Sequence, residues 1–175
     1  DQVRVEYLEI WRRLLDYARE VPQVLGLRDY HVDNLMLLED RDGLAACGLL
    51  DFQDAVAGPS PYDLVSLLED ARRDIPTQLA KDMKDRYLAA LPGLDRNAFE
   101  ASYAILGAQR HAKVIGIFTR LCRRDGKPDY LIHIPRVWRL LENSVAHPVM
   151  EPLRLWLETN IPASLRAIPS VETDR

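Results

Sequence analysis

A predominantly helical α+β fold built around one β-hairpin is what this sequence predicts, on three observations. Apolar residues recur at helical spacing near the N-terminus and again from Tyr62 onward. Two short apolar runs, Leu35–Leu38 and Cys47–Leu50, flank the polar, glycine-ended stretch Glu39–Gly43. Apolar residues also make up 47% of the 175-residue chain, which excludes disorder and supplies one domain with a sizeable core.

Along residues 3–20, Tyr7, Trp11, Leu14, Leu15 and Ala18 form a single stripe of helical period, and Pro22 stops the helix. Val24-Leu25-Gly26-Leu27 is a short apolar run that enters a loop at Asp29. The runs at 35–38 and 47–50 pair as the hairpin. Gly58-Pro-Ser-Pro61 reads as a rigid turn. Beyond it, helices are expected over 62–73, from Pro76 to about Leu91, and from Asn97 to about Arg123. Asn97 is the expected N-cap of the last of these, with Glu100 as its capping-box partner. Arg124–Pro128 is a loop, further helices lie near 129–146 and 149–158, and the tail after Pro162 is irregular.

The charge balance narrows the function classes. A net charge of −4 lacks the basic field that a nucleic-acid binder carries. No window holds eighteen uninterrupted apolar residues, so no membrane-spanning helix is expected. The N-terminus has neither a basic region nor an apolar core of the signal-peptide kind. Cys47 and Cys122 show no metal-ligand spacing, which fits a reducing, cytoplasmic compartment. Cys47, on an expected strand, reads as an inert buried thiol. Trp11, Trp138 and Trp156 read as core packing rather than as sugar-stacking platforms.

The chemistry-bearing residues sit around the hairpin. Asp29 and Asn34 share the loop before its first strand, and Asp51 follows its second. A hairpin brings its own ends together, so Asn34 and Asp51 are expected to be neighbours. One carboxylate and one amide carbonyl suit Mg²⁺, which keeps waters and takes its remaining oxygens from phosphates. Asp29, one turn away, is placed to accept or orient a hydroxyl proton.

The order Asp29-x-x-x-x-Asn34, strand pair, Asp51-Phe-Gln53 resembles the protein-kinase signature, with Leu27 in place of its His and Gln53 in place of the Gly of Asp-Phe-Gly. The pattern is more similar to the aminoglycoside-phosphotransferase and choline-kinase-like group. That group adds Gly-x-x-x-x-Asp-Leu, here Gly58-Pro-Ser-Pro-Tyr-Asp63-Leu64. Within it, Arg28–His31, Leu50–Ala55, Tyr62–Leu68, Gln109-Arg-His111, Arg124–Pro128 and Ile134-Pro-Arg136 resemble the bacterial anomeric kinases of N-acetylmuramate and N-acetylglucosamine. The resemblance covers roughly residues 24–140. It implies the C-terminal lobe of a protein-kinase-like fold, with ATP and Mg²⁺ as cofactors and a sugar hydroxyl as acceptor.

On that resemblance Asp29 is the expected catalytic base, and Asn34 and Asp51 are the metal and cofactor ligands. His31 has two readings, a substrate contact or a packing replacement for the His missing at position 27. Arg110, His111, Lys113 and Arg124 read first as a solvated or salt-bridged face. The alternative makes Arg110 and Arg124 a wall of the acceptor site, suited to a muramic-acid carboxylate. Asp63 reads as a helix N-terminal carboxylate or a support for the catalytic loop, Asp33 as loop surface, and Asp54 as a turn residue with a substrate- or metal-binding role as the alternative. Nothing before Asp29 resembles a nucleotide-binding lobe, and the chain does not begin with Met. The expectation is therefore a catalytic lobe over 1–175 without its N-terminal partner. Other readings are a kinase of an aminoglycoside or choline-like alcohol, and a non-catalytic protein on a kinase-like lobe.

Overall fold

The apolar stripe of the first segment forms α1 (Gln2–Tyr17), where Trp11 and Leu14 are buried. The computed structural model describes residues 2–169 and divides into two units. One comprises Arg19–Tyr103, and the other Asp1–Ala18 with Ala104–Arg175. No helix among the described residues is long and apolar enough to cross a membrane.

The Arg19–Tyr103 unit contains two small antiparallel sheets rather than one hairpin. The expected hairpin is β2 (Leu35–Leu37) paired with β3 (Cys47–Leu49), with Leu35 opposite Leu49. The second sheet pairs β1 (Gln23–Gly26) with β4 (Val56–Pro59), from Gln23 opposite Pro59 to Gly26 opposite Val56. It corrects the reading of Gly58-Pro59 as turn alone. Pro59 lacks an N–H, but a strand end tolerates that loss. Cys47 is exposed, not buried, because a two-stranded hairpin covers little of its own surface.

Helix α2 spans Tyr62–Leu68 and ends well before Arg73. The Asp70 carboxylate accepts the Arg72 backbone N–H at 2.7 Å, so an Asx-type turn replaces the next helical turn. α3 spans Thr77–Ala90. The core of the unit gathers Val65, Leu88, Phe99 and Tyr103. Phe99 stacks on Tyr87 at 5.7 Å between ring centroids, and the Tyr87 hydroxyl donates to the Ser60 carbonyl at 2.9 Å. Burial, reinforced by the negative charges of Glu69 and Glu100, holds the Tyr103 phenol in its protonated form.

Helix α4 spans Arg96–Asp125, and its cap is Asp95 rather than Asn97. The Asp95 carboxylate accepts the Ala98 N–H at 2.8 Å, whereas Asn97 lies inside the helix and Glu100 accepts from Lys84 at 3.0 Å. Removing that acceptor strands an N-terminal donor. Asp95→Ala is therefore expected to lower stability by about 1 kcal/mol and Asn97→Ala by only a few tenths. Chemical denaturation of both variants measures the difference, and equal losses would return the cap to Asn97.

In the other unit α4 continues to Asp125, joined by α5 (Ile134–Val145) and α6 (Glu151–Asn160). Every residue from 104 to 108 is buried. His111 is only 1% exposed, which corrects its reading as part of a solvated face. α4 ends at Gly126, whose left-handed φ of 63° lets its N–H reach the Cys122 carbonyl at 3.2 Å. α5 buries Ile134, Val137, Leu141 and Val145 on one stripe, with Pro135 in its first turn. Tyr7 of α1 packs against Trp156 of α6 with ring centroids 4.7 Å apart.

Candidate active site

Gly26 ends β1 and delivers Leu27 and Arg28 to the first turn of α2. There the Asp63 carboxylate accepts both backbone N–H groups, at 2.7 and 3.0 Å. The hydroxyl of the fully buried Ser66 donates to the Arg28 carbonyl at 3.4 Å. Asp63 thus fills both roles expected of it, as an acidic residue in the first turn of a helix and as the clamp on this loop. Between these anchors Arg28 adopts φ 70°, and the Asp29 N–H closes a three-residue turn on the Leu27 carbonyl at 2.9 Å. A left-handed arginine in such a tight turn is strained, and it persists because its neighbours over-determine it.

Asp29 is exposed, and its side chain is open to solvent. Its carbonyl accepts the Asn34 side-chain N–H at 2.8 Å, so the loop is tied across its own base. A short 3₁₀ turn, Val32–Asn34, leads from there into β2. The hairpin does bring its ends together, since the Leu50 N–H donates to the Asn34 carbonyl at 2.9 Å and Asp51 is the next residue. Asp51 is the second non-glycine residue with a left-handed backbone, at φ 56°. Gln53 donates to its Oδ1 at 2.6 Å, a restraint that a glycine at 53 would not provide. Arg28 reaches Asp54, 3.8 Å from guanidinium to carboxylate, and so links the two loops. Burial raises the phenol pKa of Tyr30, helped by the fields of Cys47 and Asp63.

His31 is mostly covered, with 16% of its side chain exposed. Its Nε2 lies 3.5 Å from the Asn34 amide nitrogen and 3.4 Å from an Arg72 guanidinium nitrogen. Asp33 is more than loop surface, for it pairs with Arg72 at 3.3 Å and with Arg73. Sequence reading missed Ser66, Asp70, Arg72 and Arg73. The only signal was the mixed-charge run Glu69-Asp-Ala-Arg-Arg-Asp74, which closes the segment expected to be helical.

Asp29, His31, Asn34 and Asp51 therefore belong to one hydrogen-bonded set of loops in one unit. Arg110 and Arg124 belong to the other unit. Arg124 is two-thirds exposed and pairs with the adjacent Asp125 at 2.6 Å. Trp11 is buried, as expected of core packing, and lines a cavity of about 280 Å³ with Gln109 and Lys113 in the same unit as Arg110. No cluster of three His, Cys, Asp or Glu side chains converges as a metal cage among the described residues.

Two acidic loops thus meet at the ends of the hairpin, joined through the Asn34 backbone carbonyl, while the Asn34 amide is tied within the first of them. The profile of the phosphotransferase enzyme family matches residues 1–99, and the chain belongs to that family. It is 44% identical over 161 residues to a protein of Caulobacter vibrioides named N-acetylmuramate/N-acetylglucosamine kinase, covering 92% of this chain and 44% of the relative. Proteins of the same name from Pseudomonas aeruginosa and Neisseria meningitidis are 42% and 45% identical over 81% and 73% of the chain. These alignments take in 43% and 40% of the two relatives, so the chain spans less than half the length of the curated relatives it matches.

Proposed function

We propose that this chain is the catalytic lobe of an ATP-dependent sugar kinase that phosphorylates the anomeric hydroxyl of N-acetylmuramate or N-acetylglucosamine. The observation that carries the reading is the locked Asn34 amide. Its nitrogen is committed to the Asp29 carbonyl, which leaves Oδ1 as the atom available to a cation, and its backbone carbonyl is bonded to Leu50, the residue before Asp51. An amide oxygen and a carboxylate form a hard-oxygen donor set. It fits Mg²⁺, which needs few protein ligands when phosphates and water complete its shell. Asn34 and Asp51 would hold the ion, which when bound neutralises charge on the phosphate oxygens. Asp29, free of side-chain partners and fixed through its backbone, orients the acceptor hydroxyl and takes its proton. The nucleotide grip belongs, on this reading, to a part of the protein beyond these 175 residues. ATP use and the sugar acceptor point to a cytoplasmic role in recycling cell-wall sugars.

An aminoglycoside acceptor would need an acidic pocket for a polycation, and the relatives matched are named for amino sugars instead. The test is turnover of the complete protein with ATP and Mg²⁺ on N-acetylmuramate, N-acetylglucosamine and kanamycin, with the product followed by phosphorus NMR. Formation of a sugar 1-phosphate is expected. Faster turnover of kanamycin than of either sugar would overturn the assignment.

A further inference from the structure

We propose that Arg72 is a positioning residue that fixes the orientation of the Asn34 amide through His31. The inference rests on the reading of Asn34 as a metal ligand.

The argument is one of donors and acceptors. An amide nitrogen carries two hydrogens. In Asn34 one is donated to the Asp29 carbonyl at 2.8 Å, and the other is directed at His31 Nε2, 3.5 Å away. An Arg72 guanidinium nitrogen, which can only donate, approaches the same Nε2 at 3.4 Å. Two donors on one ring nitrogen require that nitrogen to accept, so the ring proton sits on Nδ1. The Asp33 carboxylate favours that arrangement, with its Oδ2 lying 3.9 Å from Nδ1.

The opposite tautomer would turn an N–H against both donors. The Asn34 amide would then be pressed away from His31, straining the 2.8 Å bond to the Asp29 carbonyl that fixes which way Oδ1 faces. Partners of this kind, one bond removed from a ligand, set ring orientation and tautomer in metal sites.

Arg72 is itself well fixed. Its guanidinium lies 3.3 Å from Asp33, and its backbone N–H donates to Asp70 at 2.7 Å. Asp70 is a buried carboxylate with 4% exposure.

The test uses the complete protein and the variants Arg72→Ala, Arg72→Lys and His31→Ala. Nitrogen-15 NMR of the metal-free protein should show His31 protonated on Nδ1 and unprotonated on Nε2. In Arg72→Ala the Nε2-protonated form should appear. Mn²⁺ titration followed by electron paramagnetic resonance should show affinity about 10–100-fold weaker in Arg72→Ala. Arg72→Lys should recover part of it, because an ammonium also donates to Nε2. The Mg²⁺ concentration for half-maximal turnover should rise in step, while the acceptor KM stays within about two-fold of the parent.

A wild-type ring protonated on Nε2 would overturn the proposal. So would unchanged Mn²⁺ affinity in a folded Arg72→Ala, or a rise in acceptor KM in its place. Should Arg72→Ala fail to fold, Arg72→Lys must still weaken Mn²⁺ measurably or the proposal falls. Absence of kinase turnover in the wild-type protein would instead defeat the functional reading. The tautomer and the Mn²⁺ titration report on Arg72 whichever acceptor is used.

Discussion

Asp29→Asn in the complete protein is expected to lower kcat by about 10²–10⁴-fold, with nucleotide KM changed by no more than about three-fold. The substitution isolates basicity from structure. The loop is tied through the Asp29 carbonyl, which accepts from Asn34, and through its N–H, which donates to Leu27. The carboxylate carries none of those bonds, so asparagine leaves the loop in place and removes only the proton acceptor. The proposed acceptor, an anomeric hydroxyl, is more acidic than an ordinary alcohol, which puts the expected loss toward the lower end of the range. Steady-state kinetics on the preferred sugar decide it. Turnover within about three-fold of the parent would take Asp29 out of the proton transfer.

Asp63→Ala is expected to cost about 3 kcal/mol of folding stability. One carboxylate receives two backbone N–H groups at 2.7 and 3.0 Å, and alanine would leave both donors unpaired beside a half-buried helix terminus. Asp63→Asn keeps one oxygen but turns an NH₂ toward the other donor, so an intermediate loss is expected. Urea denaturation followed by circular dichroism measures both. A loss under about 0.5 kcal/mol for the alanine variant would mean that water replaces the clamp without cost. Because the same carboxylate holds Arg28 in its turn, kcat should fall along with stability.

The parts of the fold visible in the sequence were those encoded locally. The stripe through Tyr7, Trp11 and Leu14 gave α1 its period, and the polar stretch ending at Gly43 gave the hairpin its turn. The hairpin in turn brought Asn34 and Asp51 together, because the adjacency of its two ends is a matter of connectivity alone. The sheet joining Gln23–Gly26 to Val56–Pro59 was not legible, since its strands are short and far apart in the chain. Proline and glycine in the second strand also pointed to a turn. The early end of α2 depended on the Asp70 side chain finding a backbone donor at Arg72, a choice that periodicity does not report. Asp95 and Asn97 were both capping types, and the helix start decided between them. The Arg72–His31 contact spans 41 positions, so no local pattern contained it.

The two left-handed residues bear on any attempt to engineer this protein. Arg28 and Asp51 stand where glycine would relax the main chain. A library selected for heat resistance alone would therefore drift toward glycine at both positions. It would erase the carboxylate at 51 and slacken the turn that holds Asp29. On the proposed function, robustness and reactivity compete for the same two φ angles, so selection on catalysis must accompany any selection on melting temperature.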